Sequence, residues 1–226
     1  MSYIDALYKK DEDKVYVVER NEKGERVFVD YDARYVFYYP DARGKHRSMT
    51  GEVLQKIQCS TQKEFIKEQR IRSNKKLFEN DINPVFRCLE ENYLGKESPK
   101  LNVCFFDIEV DFDPERGYAS TDDPFMPITA ISCYMSWTDQ LVTFAKIPKG
   151  MNMATALLQT ERFDNTMLFD NEKEMLDAFL TLIEDADILS GWNSEGYDIP
   201  YTVGRIQKVL SSDVTRRLCF WGQKPK

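Results

Sequence analysis

Apolar and polar positions alternate with a period of two through residues 14–40. Lys14–Arg20 is a short β-branched run, Asn21-Glu22-Lys23-Gly24 is a turn, and residues 26–31 set Val27 and Val29 against Phe28. This pattern predicts a hairpin. Tyr35-Val36-Phe37-Tyr38-Tyr39 predicts a third strand, stopped by Pro40. The period then changes. Across residues 62–72, Phe65, Ile66 and Gln69 fall on one side at helical spacing, which predicts a helix. Gly95-Lys96-Glu97-Ser98-Pro99-Lys100 has linker composition and predicts a domain boundary near residue 100. The expected domains are therefore 1–100 and 101–226.

Beyond that boundary, Val103–Val110 is an apolar run long enough for one strand, and it reads as a strand buried on both faces. Asp107 and Glu109 interrupt it. Side chains alternate faces along a strand, so both acids point one way, about 7 Å apart along the chain, while Ile108 and Val110 point into the core. Acids are disfavoured in strands. Two crowded together repel unless a cation sits between them, and Mg²⁺ is a hard ion that takes carboxylate oxygens. The same pair also suits a strand end that has reached solvent.

An acidic, turn-rich loop follows over 111–127. Strands are predicted over 128–137 and 140–147, antiparallel neighbours joined by Thr138-Asp139, with one short helix within 148–170. The clearest helix spans 171–186. Asn171 and Glu174 form a capping-box pattern, and Met175, Leu176, Phe179, Leu182 and Ile183 form an apolar stripe. Ile188-Leu189 begins a strand, Gly191-Trp192-Asn193 is a tight exit, and a helix starts at Asp198. This order predicts a mixed sheet with helices packed on it, in the α/β class. In open α/β sheets ligands gather outside the carboxyl ends of strands. Asp198 either faces Asp107 across such a crevice or serves its own helix dipole.

The chain has 226 residues, 42% hydrophobic and 13% aromatic, enough for a real core rather than disorder. Its net charge of −7 does not point to nucleic acid by itself, although basic surface can be local. Lys63, Lys67, Arg70, Arg72, Lys75 and Lys76 concentrate in one segment. They either track a phosphate backbone or form a solvated helix face. The tyrosines of the third strand offer either stacking to bases or cross-strand packing. No apolar run approaches the roughly 18 residues of a membrane span, and the N-terminus has no signal pattern, so a cytoplasmic protein is expected. Cys59, Cys88, Cys104, Cys133 and Cys219 include no C-x-x-C and read as reduced, mostly buried thiols. His46 is the single histidine and reads as a solvated loop residue. A Ser-His-Asp triad or multi-histidine zinc site is thereby excluded. Chemistry must run on carboxylates, tyrosines, lysines or bound metal.

Phe106-Asp107-Ile108-Glu109 resembles the first exonuclease motif of family B DNA polymerases, D-x-E. Gly191-Trp192-Asn193 through Tyr197-Asp198 resembles the second. The branch it looks like is that of replicative polymerases of large tailed bacteriophages, and the likeness extends over essentially the whole chain. The resemblance implies an amino-terminal domain over 1–100 and the first part of a ribonuclease H-like 3′–5′ proofreading exonuclease over 101–226. In that reading the fold is α/β (α+β overall), a β-rich start followed by a mixed sheet flanked by helices. The implied chemistry is two-metal phosphodiester hydrolysis with Mg²⁺ or Mn²⁺. Asp107 would bridge both ions, Glu109 would hold the nucleophile-side ion and orient the water, and Asp198 would bind or position the second. Asn193 would contact the strand being trimmed, with Tyr197 accompanying the motif at the DNA. Tyr118, after Gly117, aligns with an aromatic used against unpaired bases. DNA, as a single-stranded 3′ end or primer-template, is the implied partner, in the cytoplasm of the host cell if the protein is viral.

The family's third motif, a Tyr and then an Asp on a later helix, has no Y-x-x-x-D candidate after Asp198, and no polymerase palm, fingers or thumb is present. The chain therefore reads as the front of a polymerase, either an expressed fragment or one piece of a split gene whose remainder is a separate chain. Alone it is expected to be inactive or a very weak nuclease. The alternative is a non-catalytic DNA-binding or subunit-docking module of a split polymerase. A plain acidic α/β interaction domain is the third reading.

Overall fold

The alternation over 14–40 folds into strands and recruits another ahead of it. The computed structural model describes residues 2–225. Strands β1 (Ser2–Lys9), β2 (Lys14–Arg20) and β3 (Arg26–Asp32) form an antiparallel sheet in the order β1-β2-β3. Strand β4 (Tyr35–Pro40) leaves for a second sheet with β5 (His46–Arg47) and β6 (Val53–Cys59), ordered β4-β6-β5. His46 is exposed as expected but lies in β5 rather than in a loop. Helix α1 (Gln62–Ile71) is capped by Thr61, whose hydroxyl accepts from the Glu64 amide at 3.2 Å. Phe65 turns inward against the rings of Tyr35 and Phe37, whereas Ile66 remains 39% exposed. The expected grouping of Ile66 with Phe65 is thus corrected: Phe65 faces the sheet, and Ile66, a quarter-turn further round α1, stays at the surface. Helix α2 (Pro84–Tyr93) starts with proline at its first position, behind Asn83 as cap. Val15, Val17, Tyr35, Cys59, Cys88 and Tyr93 share the core of this unit. Tyr35 is a packing residue, with its hydroxyl on Asp13 and 2.7 Å from that of Tyr8.

The chain divides into two units, Met1–Lys100 and Leu101–Lys226. The second contains β7 (Val103–Val110), β8 (Ile128–Met135), β9 (Gln140–Lys146), α3 (Met153–Thr160), β10 (Thr166–Phe169), α4 (Glu172–Leu182), β11 (Ile188–Ser190) and α5 (Asp198–Val209). The sheet order is β10-β9-β8-β7-β11. Strands β7, β8 and β9 are antiparallel neighbours; β10 runs parallel to β9 and β11 parallel to β7. The chain is therefore of the α/β class with a β-rich start.

Asn171 caps α4 as its spacing predicts, accepting from the Glu174 amide at 2.9 Å. Met175, Leu176, Phe179 and Leu180 pack with Tyr201 and Ile206 of α5 against Phe106, Ile108, Ile131 and Phe144 of the sheet. Strand β7 is buried on this face alone. Phe105 is 47% exposed on the opposite face, with Asp107 and Glu109 also exposed. The expectation of a strand buried on both faces is corrected. The run looks continuous because Phe105 pairs with Tyr134 across the open face, their rings 6.3 Å apart. Cys59, Cys88, Cys104 and Cys133 are buried free thiols, and Cys219 is half-buried. Among the described residues, no helix is long and apolar enough to cross a membrane.

Candidate active site

The site forms where β11 ends partway along β7, which runs on past it to Val110. Their parallel register sets Ser190 opposite Phe105, so the chain leaves β11 next to the first acid of β7. Gly191 makes that exit possible. A Cβ there would lie 2.3 Å from the Phe106 carbonyl oxygen, an approach only glycine permits. Asn193 then adopts a left-handed backbone (φ 53°), a conformation its short polar side chain tolerates. Its carbonyl accepts from the amides of Gly196 and Tyr197 at 3.0 and 3.1 Å. The Ser194 carbonyl accepts from Ile199 at 2.8 Å, and α5 begins.

This turn delivers Asp198, 4% exposed, to the backbone of β7. Its Oδ1 accepts from the Ile108 amide at 3.2 Å, between Asp107 and Glu109 in sequence. Strand β11 has already stopped, so the carboxylate takes an amide that no strand meets. Burial raises the Asp198 pKa, the Ile108 hydrogen bond opposes it, and the negative charge of Asp107 adds to the rise. Asp107 and Glu109 sit on the open face opposite Ser132 and Ala130 of β8.

Helix α5 is held by contacts that the sequence did not signal. Arg205 Nε donates to Glu172 Oε1 at 2.8 Å, and its Nη2 bonds Oε2 of the same carboxylate. Its Nη1 donates to the Pro124 carbonyl at 2.8 Å, and Glu172 Oε1 also accepts from the Ile128 amide at 2.9 Å. Tyr201 donates to the Met126 carbonyl at 2.8 Å. The helix carrying Asp198 is thereby pinned to α4, to the start of β8 and to the loop before it. The signal available was Arg205 sharing the buried face of α5 with Tyr201, Thr202 and Ile206.

The other predicted residues are placed as follows. Asn193 is exposed on the turn. Tyr197 stacks on Tyr201, ring centroids 5.2 Å apart, and packs against the core rather than standing free. Tyr118 is 82% exposed and lies 4.8 Å from the Phe112 ring, on the loop that leaves β7 directly after its acids. Trp192, not singled out from sequence, is 92% exposed beside Asn193.

The donors are all carboxylate oxygens, the hard ligands that suit Mg²⁺ or Mn²⁺. Two are drawn together at Asp107 and Asp198. Among the described residues, however, no group of three acid, histidine or cysteine side chains is placed to hold an ion. The donor type fits a divalent cation and the donor number falls short.

The model of the DNA polymerase family B exonuclease domain matches residues 52–224. The chain belongs to that family. The match begins within the first unit and runs almost to the end of the second. The DNA-directed DNA polymerase of Escherichia phage RB69 is 32% identical over 138 residues, covering 53% of this chain and 15% of that protein. The DNA-directed DNA polymerase of Enterobacteria phage T4 is 30% identical over 115 residues, covering 48% of this chain and 12% of its own length. The aligned part is thus a small fraction of either relative.

Proposed function

We propose that residues 101–226 are the front part of a 3′–5′ proofreading exonuclease within a DNA-directed DNA polymerase acting in DNA replication. Residues 1–100 are its amino-terminal domain. The observation that carries this reading is the Asp198 carboxylate seated on the Ile108 amide, between two acids at the end of a sheet strand. Asp107, Glu109 and Asp198 would hold divalent cations, Mg²⁺ or Mn²⁺, with a further ligand coming from outside this chain. Bound in pairs, such ions supply an activated water and stabilise the leaving oxygen in phosphodiester hydrolysis. Asp198 keeps its carboxylate fixed through Ile108, so the charge opposite Asp107 is preorganised. Asn193 contacts the single-stranded 3′ end, and Tyr118 meets unpaired bases. Tyr197 serves the site by seating α5. The setting is the cytoplasm of an infected cell.

The chain alone is expected to be a very weak nuclease, because the acids are too few for the ion they would share. Mn²⁺ titration by calorimetry tests the site: binding lost in Asp107→Asn and Asp198→Asn supports the reading, and absence of binding that depends on these residues sinks it. A robust Mg²⁺-dependent exonuclease rate abolished by Asp107→Ala would refute the expected weakness. That no three acid, histidine or cysteine side chains converge among the described residues favours a second reading, a DNA-binding or subunit-docking module without catalysis. Salt-sensitive DNA binding with no response to metal would support it.

A further inference from the structure

The first unit carries a cavity that the nuclease reading does not use. It has a volume of about 460 Å³ and opens between Tyr38, the β5 region and the segment around Phe78. Tyr38 and Phe78 are joined by two backbone hydrogen bonds of 2.9 Å, which fix both side chains at the cavity. The His46 ring meets Tyr38 edge-on at 5.2 Å. Lys76 lies 4.7 Å from the Phe78 ring centre, and Arg47 also lines the space. The lining acid, Glu79, is engaged by Arg87 at 3.1 Å, which leaves the cationic side chains of the cavity uncompensated. Gly44 preserves the geometry: a Cβ there would sit 2.1 Å from the Leu54 carbonyl oxygen.

The positive charge continues past the cavity. Lys75 lies over the Tyr39 ring at 4.4 Å, and Arg72, over the same ring at 4.9 Å, is ion-paired with Glu68. Among the described residues neither Lys75 nor Lys76 makes an ion pair, and both are exposed. Aromatic faces beside unpaired cations are what single-stranded nucleic acid requires: bases stack on the rings and phosphates meet the ammonium groups. The cavity has room for one nucleotide. The basic track beyond it calls for a polymer rather than a free nucleotide.

We propose that the Tyr38–His46–Phe78 cavity takes one unpaired nucleotide of single-stranded DNA, with Lys76 and Arg47 on its phosphate and Lys75, beside Tyr39, on the adjoining backbone. The inference concerns the first unit and does not rest on the nuclease reading. Its test is fluorescence anisotropy of labelled oligothymidylate with the full chain in EDTA, which keeps any metal-dependent site silent.

Tyr38→Leu is expected to weaken binding about 5- to 150-fold, the range for losing one stacked base. Lys76→Ala should lower the slope of log affinity against log salt by about 0.7, the value for one single-strand phosphate contact. Lys149→Ala, at an exposed lysine of the second unit, should leave metal-free binding unchanged. Should Tyr38→Leu fail to fold, Lys76→Ala and His46→Ala, both at exposed side chains, carry the test. Wild-type affinity and salt slope in those two variants would overturn the proposal. So would equal affinity for duplex DNA. Tighter binding of oligouridylate than of oligothymidylate would overturn the assignment to DNA.

Discussion

Replacing Arg205 by Met should unsettle the second unit more than any surface charge change. The Arg205 and Glu172 side chains are each only 9% exposed. Without the guanidinium, Glu172 keeps the Ile128 amide as partner, and the Pro124 carbonyl loses its donor. Stranding one charge of a buried pair costs about 3–5 kcal/mol. A unit of this size loses about 4 °C of melting temperature per kcal/mol, so the drop should be about 12–20 °C. Scanning calorimetry reads it directly. The double variant Arg205→Met/Glu172→Met removes both charges and should recover most of the loss, since apolar replacement of a buried pair is often neutral or stabilising. Native-state hydrogen exchange should show the Ile108 amide opening faster in the single variant, because α5 carries Asp198. A loss below about 1 kcal/mol, the level of a surface pair, would refute the claim that this bidentate contact holds the helix in place.

Gly191→Ala should destabilise by about 1–3 kcal/mol as an overpacking change against rigid backbone, with the Ile108 amide again exchanging faster. Asp198 has a raised pKa when folded, so its stabilising contribution is complete below the unfolded carboxylate pKa and is lost as pH rises through the folded value. Asp198→Asn in EDTA should therefore gain melting temperature over wild type as pH rises toward neutrality; a gap that shrinks with rising pH contradicts this. Asn171→Ala removes the α4 cap and should cost about 1 kcal/mol in urea unfolding; no change in midpoint would argue against the cap.

The legible parts of the fold were those set by local pattern. The capping of α4 by Asn171 and the alternation of Asp107 with Ile108 are properties of neighbouring residues. Strand β10 lacked such a signal: it has four residues and exists through its parallel pairing with β9. Strand β1, SYIDALYK, mixes polar and apolar residues without a clean period and is held by β2. The exposure of Phe105 was hidden because an aromatic pair on an open sheet face has the same composition as a core. Of the candidate site, the juxtaposition of Asp198 with β7 followed from two motifs at strand ends. The Arg205–Glu172 contact did not, because a charged residue on a helix reads as solvated until its partner is known.

The buried thiols give this chain a built-in report on how it comes apart. Cys59 and Cys88 lie in the first unit, Cys104 and Cys133 in the second, and all four are buried. Alkylation of each pair therefore requires its own unit to open, and mass spectrometry of peptides after timed labelling separates the two rates without an engineered probe. Cys219, half-buried, marks the fast-reacting baseline against which both are measured.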